Sequence, residues 1–306
     1  MTGVASSIGE SVRPCSSPDL AAGCEHAIGV PGKGLRSRIL RLLSSDAATD
    51  PRTEEAAAAV ELLHAASLVH DDLIDRGTMR RGRPAVWNSH GDSIAAYSGA
   101  WLFARATELI CVCGDQAVAR FAQTAAIILE GQLREVVDRA TMEADVDGFL
   151  AVAEHKTAAL FAFAAEVGAT LANEAPPVIE RARRFGVAFG IAFQIADDVT
   201  DYEGAMAGGV AVGNPPGTLY TLPLIYALGG DSRLREDLAL GEVLELERVR
   251  DAVTRANGLE RARELCGTFV ARARREGSGL LTSTDVAALL DAGVASCAMP
   301  DQLPSG

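Results

Sequence analysis

Residues 53–75 read TEEAAAAVELLHAASLVHDDLID, and this stretch decides how the rest of the chain is read. Asp50-Pro51 marks its start, and Glu54 and Glu55 fall in the first turn, where carboxylates suit the positive end of a helix dipole. The spacing predicts a helix over about 52–76. Apolar residues cover most of its sides, so the helix is expected at the centre of a fold. Its last turn is Asp71-Asp72-Leu73-Ile74-Asp75.

The same pattern returns 126 residues later as Asp197-Asp198-Val199-Thr200-Asp201. One such motif is expected by chance roughly 0.1 times in a chain of this composition, and two far less often. On a helix Asp71 and Asp75 are i and i+4 and share a face, as do Asp197 and Asp201. Like charges held so close on an apolar helix destabilise it unless something neutralises them. Mg²⁺ does so, taking carboxylate oxygens and completing its shell with water and substrate phosphates. Two facing clusters could hold several Mg²⁺ ions and a diphosphate. Neither segment has the alternating ligands and glycine of an EF-hand. The bland alternative is two acidic helix ends in water. Polar stripes argue against it. His64 precedes Asp71 by nearly two turns, so His64, Asp71 and Asp75 line one face, and Gln194, Asp197 and Asp201 line another.

Outward from these motifs the chain reads as helix. It has 306 residues, 48% hydrophobic and only 5% aromatic, and Ala is abundant. That composition favours helices over sheets. Helical patterns run near 93–112, 115–140, 145–172, 177–203 and 220–228, with shorter amphipathic helices over about 234–300. Residues 77–84 and 204–217 read as loops. Residues 1–30 are expected to be poorly ordered, and 31–300 to form one all-α domain. The net charge of −13 and the lack of a basic tract speak against nucleic acid as a partner. No apolar run reaches about 18 residues, and the N-terminus does not read as a secretory signal. Cys15, Cys24, Cys111, Cys113, Cys266 and Cys297 show no zinc spacing and fit a reducing, cytoplasmic setting.

Of 28 basic residues only Lys33 and Lys156 are lysines. Lys33 lies in Gly32-Lys33-Gly34-Leu35-Arg36, at a helix start that attracts anions. Lys156 lies in His155-Lys156-Thr157, inside an apolar run, where it must snorkel or meet an anion. Arg80 and Arg81 follow the first Asp motif in a loop, and guanidinium groups suit phosphate. Each alone reads as a solvated charge; together they favour a diphosphate site.

These segments resemble the trans-prenyltransferase family, the polyprenyl diphosphate synthases, over roughly residues 30 to 275. The resemblance is carried by GKGLR (32–36), ELLHAASLVHDDLID with RGTMRRGRP (61–84), EGQLRE (130–135), HKTAALF (155–161) and FQIADDVTDYEG (193–204), in the family's order and spacing. It implies an all-α isoprenoid-synthase bundle around a central cavity and a homodimer. It also implies Mg²⁺-dependent head-to-tail condensation of isopentenyl diphosphate with an allylic diphosphate. By position, Asp71, Asp75, Asp197 and Asp201 would bind Mg²⁺ and the allylic diphosphate, supported by Asp72 and Asp198. Arg80, Lys156 and Gln194 would hold the allylic substrate, and Thr157 and Gln194 would face the carbocation. Lys33, Arg36, His64 and Arg81 would hold isopentenyl diphosphate.

Short-chain members carry bulky aromatics one turn before the first Asp motif. Ala66 and Ser67 stand there in this chain, so a product of C20 or longer is expected. The chain departs from the family in three places. Residues 204–223 contain no Lys, Gly99-Ala100 replaces Gly-Asp, and Ser37-Arg38 stands where Arg-Pro is usual. Two other readings keep the fold: an enzyme that directs the cation to cyclisation or another acceptor, and a non-catalytic subunit of a hetero-oligomeric synthase. The intact Lys33, Arg36, His64 and Arg81 set speaks against the first. The two intact Asp motifs speak against the second.

Overall fold

A computed structural model describes residues 15–44, 50–142, 145–208, 220–242 and 244–297. These residues are overwhelmingly helical, as the composition predicts. The helices are α1 (Pro18–Ile28), α2 (Leu35–Leu43), α3 (Pro51–Asp75), α4 (Val86–His90), α5 (Asp92–Ile110), α6 (Asp115–Thr141), α7 (Val146–Val152), α8 (Ala159–Leu171), α9 (Pro176–Gly208), α10 (Leu222–Gly230), α11 (Ser232–Ala239), α12 (Leu246–Arg255), α13 (Gly258–Gly277) and α14 (Ser283–Val294). A π-helical turn, Ala153–Ala158, joins α7 to α8. The chain divides into two compact units, Met1–Ala126 with Phe163–Arg183 and Ile127–Ala162 with Arg184–Gly306.

In the first unit α3 is the core helix. Asp50 caps it by accepting the Arg52 N–H, Pro51 takes the first turn, and Arg76 ends it at φ 54°. Residues 56–60, four alanines and a valine, are all fully or almost fully buried. Small side chains over a whole turn allow helices to pack on α3 from several sides, which is why its apolar residues are not confined to one stripe. Helix α5 packs along it. Gly99, on α5, faces the His70 ring so closely that a Cβ there would sit 2.2 Å from Nε2. The imidazole bonds the Ala96 carbonyl through that nitrogen at 3.2 Å.

Three expectations change. Residues 18–28, placed in a poorly ordered segment, form α1, capped by the Ser17 hydroxyl and burying Cys24. Residues 1–14 lie outside the described residues. The expected loop 77–84 is a two-stranded hairpin, with Met79 opposite Pro84 and Arg80 opposite Arg83. Helix α9 continues to Gly208, so the expected loop does not begin at 204; residues 209–219 lie outside the described residues.

In the second unit α9 packs Phe189 and Phe193 against Phe161, at ring-centroid distances of 5.1 and 5.5 Å. A second cluster joins Tyr202 to Leu224, Leu228, Leu234, Leu238, Val249 and Val253. It seats α10 at the C-terminal part of α9, beside the second Asp motif.

Candidate active site

The first unit brings together one acidic and one basic group of side chains. Along α3, His64, Asp71 and Asp75 are all half-buried. Spacings of seven and eleven residues put Asp71 and Asp75 each about 20° from His64 around the helix axis, one on either side of it. Asp72 points elsewhere and is 6% exposed. The hairpin carries Arg80 back over it. The Arg80 Nε lies 3.1 Å from both Asp72 carboxylate oxygens, and Nη2 lies 2.5 Å from Oδ1.

The hairpin turn is Arg81-Gly82, with φ of 51° and 75°. Positive φ at both central residues matches the twist of a two-residue hairpin. For arginine this backbone costs about 1–2 kcal/mol. The Arg81 guanidinium offsets the cost by bonding the Val30 carbonyl at 2.8 Å. Arg76 and Trp87 brace the hairpin base. Arg76 pairs with Asp92 at 2.8 and 2.9 Å, and the indole N–H donates to the Gly77 carbonyl at 2.8 Å.

Electrostatics ties these residues to His64. Burial pushes the imidazole well below its ordinary pKa, and the charges of Arg36, Arg81 and Arg80 push it further down. Burial and Arg80 likewise lower Arg81. The result is a neutral imidazole among three cations, which suits a polyanion. Arg36 follows the N-terminus of α2, where Glu61 accepts the Ser37 N–H at 3.1 Å. Lys33 is exposed just before that helix.

The second unit holds a chain of polar groups in an apolar setting. Thr157 donates its hydroxyl proton to Gln194 Oε1 at 2.6 Å. Gln194 Nε2 donates to Asp198 Oδ1 at 2.9 Å. Asp198 Oδ2 accepts the backbone N–H of Leu222 at 2.7 Å. Burial pushes Asp198 up to about 8, against the lowering pull of those two hydrogen bonds, with Glu135 and Asp197 adding to the rise. Lys156 sits on the π turn and is ion-paired with Glu135. Gly131, on α6, makes this approach possible. A Cβ there would lie 2.7 Å from both the His155 Cβ and the Lys156 backbone nitrogen. Lys156, Thr157, Gln194, Asp198 and Glu135 line one small cavity, walled by Phe149, Val152 and Ile225.

Gln194, Asp197 and Asp201 all lie on α9, with Gln194 half-buried. Asp197 and Asp201 are exposed, and Gln194 bonds the buried Asp198. Sequence reasoning missed Glu135, although it lies in the EGQLRE segment. Its partner is 21 residues away on another element, and no periodicity reports that.

Among the described residues no group of three or more His, Cys, Asp or Glu side chains is arranged to hold a metal. Pairs such as Asp71 with Asp75 fit Mg²⁺ nonetheless, because that ion usually takes one or two carboxylates and fills its shell with water and substrate phosphates. Ala66 is buried, and the Ser67 hydroxyl bonds back to the His64 carbonyl at 2.9 Å.

Known proteins share this architecture. A polyprenyl synthetase family model matches residues 17–255. The heptaprenyl diphosphate synthase component 2 of Geobacillus stearothermophilus is 32% identical over 266 residues, 83% of this chain and 82% of that protein. The nonaprenyl diphosphate synthase of Mycobacterium tuberculosis is 32% identical over 265 residues, 82% and 78% of the two chains. The crystal structure of a decaprenyl diphosphate synthase from Rhodobacter capsulatus superposes with a TM-score of 0.86 at 27% identity, covering 97% of this chain and 95% of that one. With that family model matching most of its length and relatives 32% identical over more than four-fifths of it, the chain belongs to the polyprenyl synthetase family and has the all-α isoprenoid-synthase fold.

Proposed function

We propose that this protein is a prenyltransferase that condenses isopentenyl diphosphate head-to-tail with an allylic diphosphate, giving a trans-prenyl diphosphate of C20 or longer. One observation carries the reading: each Asp-rich helix keeps cationic side chains close at hand, Arg80 with Arg36 and Arg81 in one unit and Lys156 in the other. Carboxylates with cations suit a magnesium diphosphate better than either set alone.

Asp71 and Asp75, and Asp197 and Asp201, are the Mg²⁺ ligands, with Asp72 and Asp198 anchoring them through Arg80 and Leu222. Bound Mg²⁺ supplies charge neutralisation to the diphosphate. A polyprenyl synthase of Caulobacter crescentus, 27% identical, has been crystallised with calcium and isoprenyl diphosphate, which supports a divalent-ion requirement here. Arg80 and Lys156 hold the allylic diphosphate and stabilise the charge it gains as its C–O bond breaks. Thr157 and Gln194 turn oxygen dipoles toward the carbocation, and the apolar walls at Phe149, Val152 and Ile225 keep water from it. Lys33, Arg36, His64 and Arg81 hold isopentenyl diphosphate, whose double bond attacks the cation; the departing diphosphate takes the released proton.

The small side chains of Ala66 and Ser67, one turn before the first Asp motif, support a tail that runs along α3. Several relatives are named for long chains, the solanesyl diphosphate synthase 1 of Arabidopsis thaliana among them. The enzyme acts in the cytoplasm as a homodimer. An exposed apolar row on α6, Leu129, Leu133 and Val137, supports self-association. No helix among the described residues is long and apolar enough to cross a membrane.

The test is incubation of purified protein with Mg²⁺, labelled isopentenyl diphosphate and dimethylallyl, geranyl or farnesyl diphosphate, followed by dephosphorylation and sizing. A ladder ending at C20 or beyond is the expected result. Consumption of allylic diphosphate without uptake of label would move the cyclase reading to the front. No consumption with any primer would favour the partner-subunit reading.

A further inference from the structure

We propose that Glu135 is a positioning residue for this reaction: it holds the Lys156 ammonium beside the Thr157–Gln194–Asp198 chain and so sets where the charge on the allylic diphosphate is met. The inference rests on the role given above to Lys156.

Three features of the structure lead to it. Lys156 is one of only two lysines in a chain that uses arginine at every other basic position. A lysine carries its charge on a flexible four-carbon stem and needs an anchor where an arginine fork is already organised. Glu135 is that anchor. The two side chains are only 21% and 28% exposed, and both line the cavity that also contains Thr157, Gln194 and Asp198. The pair is therefore part of the site's wall and not a solvated surface contact.

The backbone is shaped for the pairing. Lys156 lies in the six-residue π turn Ala153–Ala158. Such turns inside helices frequently mark functional sites. Gly131 brings α6 against the Lys156 backbone nitrogen itself, closer than a Cβ would allow. Glu135 is one turn further along α6, on the same face, and reaches the ammonium from there. Asp138, three residues beyond, also lines the cavity, but Arg134 is its ion-pair partner, with Nε 3.5 Å from Oδ2. Glu135 is thus a carboxylate that pairs with Lys156 in the wall of this cavity.

A positioning role has a kinetic signature. Removing Glu135 leaves the ammonium its charge but not its aim, and relieves it of a competing anion. Binding of the allylic diphosphate should survive while turnover falls. For Glu135→Ala the expected kcat loss is about 10- to 100-fold, the size of effect that misplacing a catalytic group produces. KM for either substrate should stay within about threefold, as should Kd for a non-ionising thiolo analogue of the allylic diphosphate. Glu135→Gln, which keeps an oxygen acceptor for the ammonium, should recover most of the loss.

The deciding experiment is a double-mutant cycle of Glu135→Ala and Lys156→Ala, with melting curves to check folding. If Glu135 acts through Lys156, the double variant is no slower than Lys156→Ala within about twofold. Losses that multiply overturn the proposal, as does wild-type turnover in Glu135→Ala. A fall in melting temperature accompanied by no rescue from Glu135→Gln would make the role structural and also overturn it. Wild-type kinetics in Lys156→Ala would overturn the assignment of Lys156 itself, an outcome separable from the others because it appears in that single variant.

Discussion

His64 shows how one side chain reports on its surroundings. Its imidazole is held below the ordinary range by burial and by Arg36, Arg81 and Arg80, so the folded protein takes up a proton less readily than the unfolded chain. The unfolded pKa is about 6.5. Above it the folded state loses nothing; as pH falls below it toward the depressed folded value, stability drops by up to about 1.4 kcal/mol per pH unit for this one proton. Thermal midpoints of the ligand-free protein from pH 7.5 to 5.5 should fall, and His64→Gln should flatten that part of the decline. Gln194 is the second informative residue. It is the link between Thr157 and Asp198, and Gln194→Leu leaves the buried Asp198 without one of its two bonds. A loss of about 1–3 kcal/mol in urea unfolding is expected, with kcat falling further than the stability change alone explains. An unchanged kcat would remove Gln194 from the reaction.

At the scale of elements, what the sequence reveals is what lies within one helix. The Asp motifs, the His64 face and the limits of α3, read as 52–76 and found at Pro51–Asp75, all follow from caps and a 3.6-residue period. The hairpin at Met79–Arg80 and Arg83–Pro84 escapes that reading because its turn is Arg-Gly, without the Asn-Gly or Asp-Gly signal, and its strands are two residues long. The π turn escapes because it perturbs the helix over only six residues. The partners of Asp72, Lys156 and Asp198 escape because periodicity gives the face of a helix and not the neighbour that covers it. Asp72 and Asp198 are legible as members of a motif, but their burial is known only once Arg80 and Leu222 are seen on them. Gly131→Ala tests the element scale directly. The added methyl drives α6 from the π turn, with an expected cost of about 1–3 kcal/mol in stability and a larger proportional loss of kcat. Urea titration and steady-state kinetics on the same preparation would show it. A variant with unchanged kinetics would mean that the turn adapts.

At the scale of the whole molecule, the exposed row Leu129, Leu133 and Val137 makes association a property to measure. Leu133→Glu with Leu129→Glu should shift a dimer toward monomer in sedimentation velocity, and a protein monomeric before substitution would remove the homodimer from the proposal. One relative is named as component 2 of a heptaprenyl synthase, so reconstitution of activity only with a second kind of subunit is the opposing outcome. Product length is likewise a property of the whole molecule. Ser67→Phe places an aromatic ring where the tail is proposed to run, and the ladder should then end at shorter products. An unchanged ladder would place the floor of the channel elsewhere.

The bond from the Leu222 N–H to Asp198 has a consequence for anyone who edits this protein. It fastens the first turn of α10 to the second Asp motif through a main-chain donor, which every residue type except proline supplies. A substitution at position 222 therefore changes packing and not this bond, whereas Leu222→Pro would remove the donor and leave the buried carboxylate one partner short.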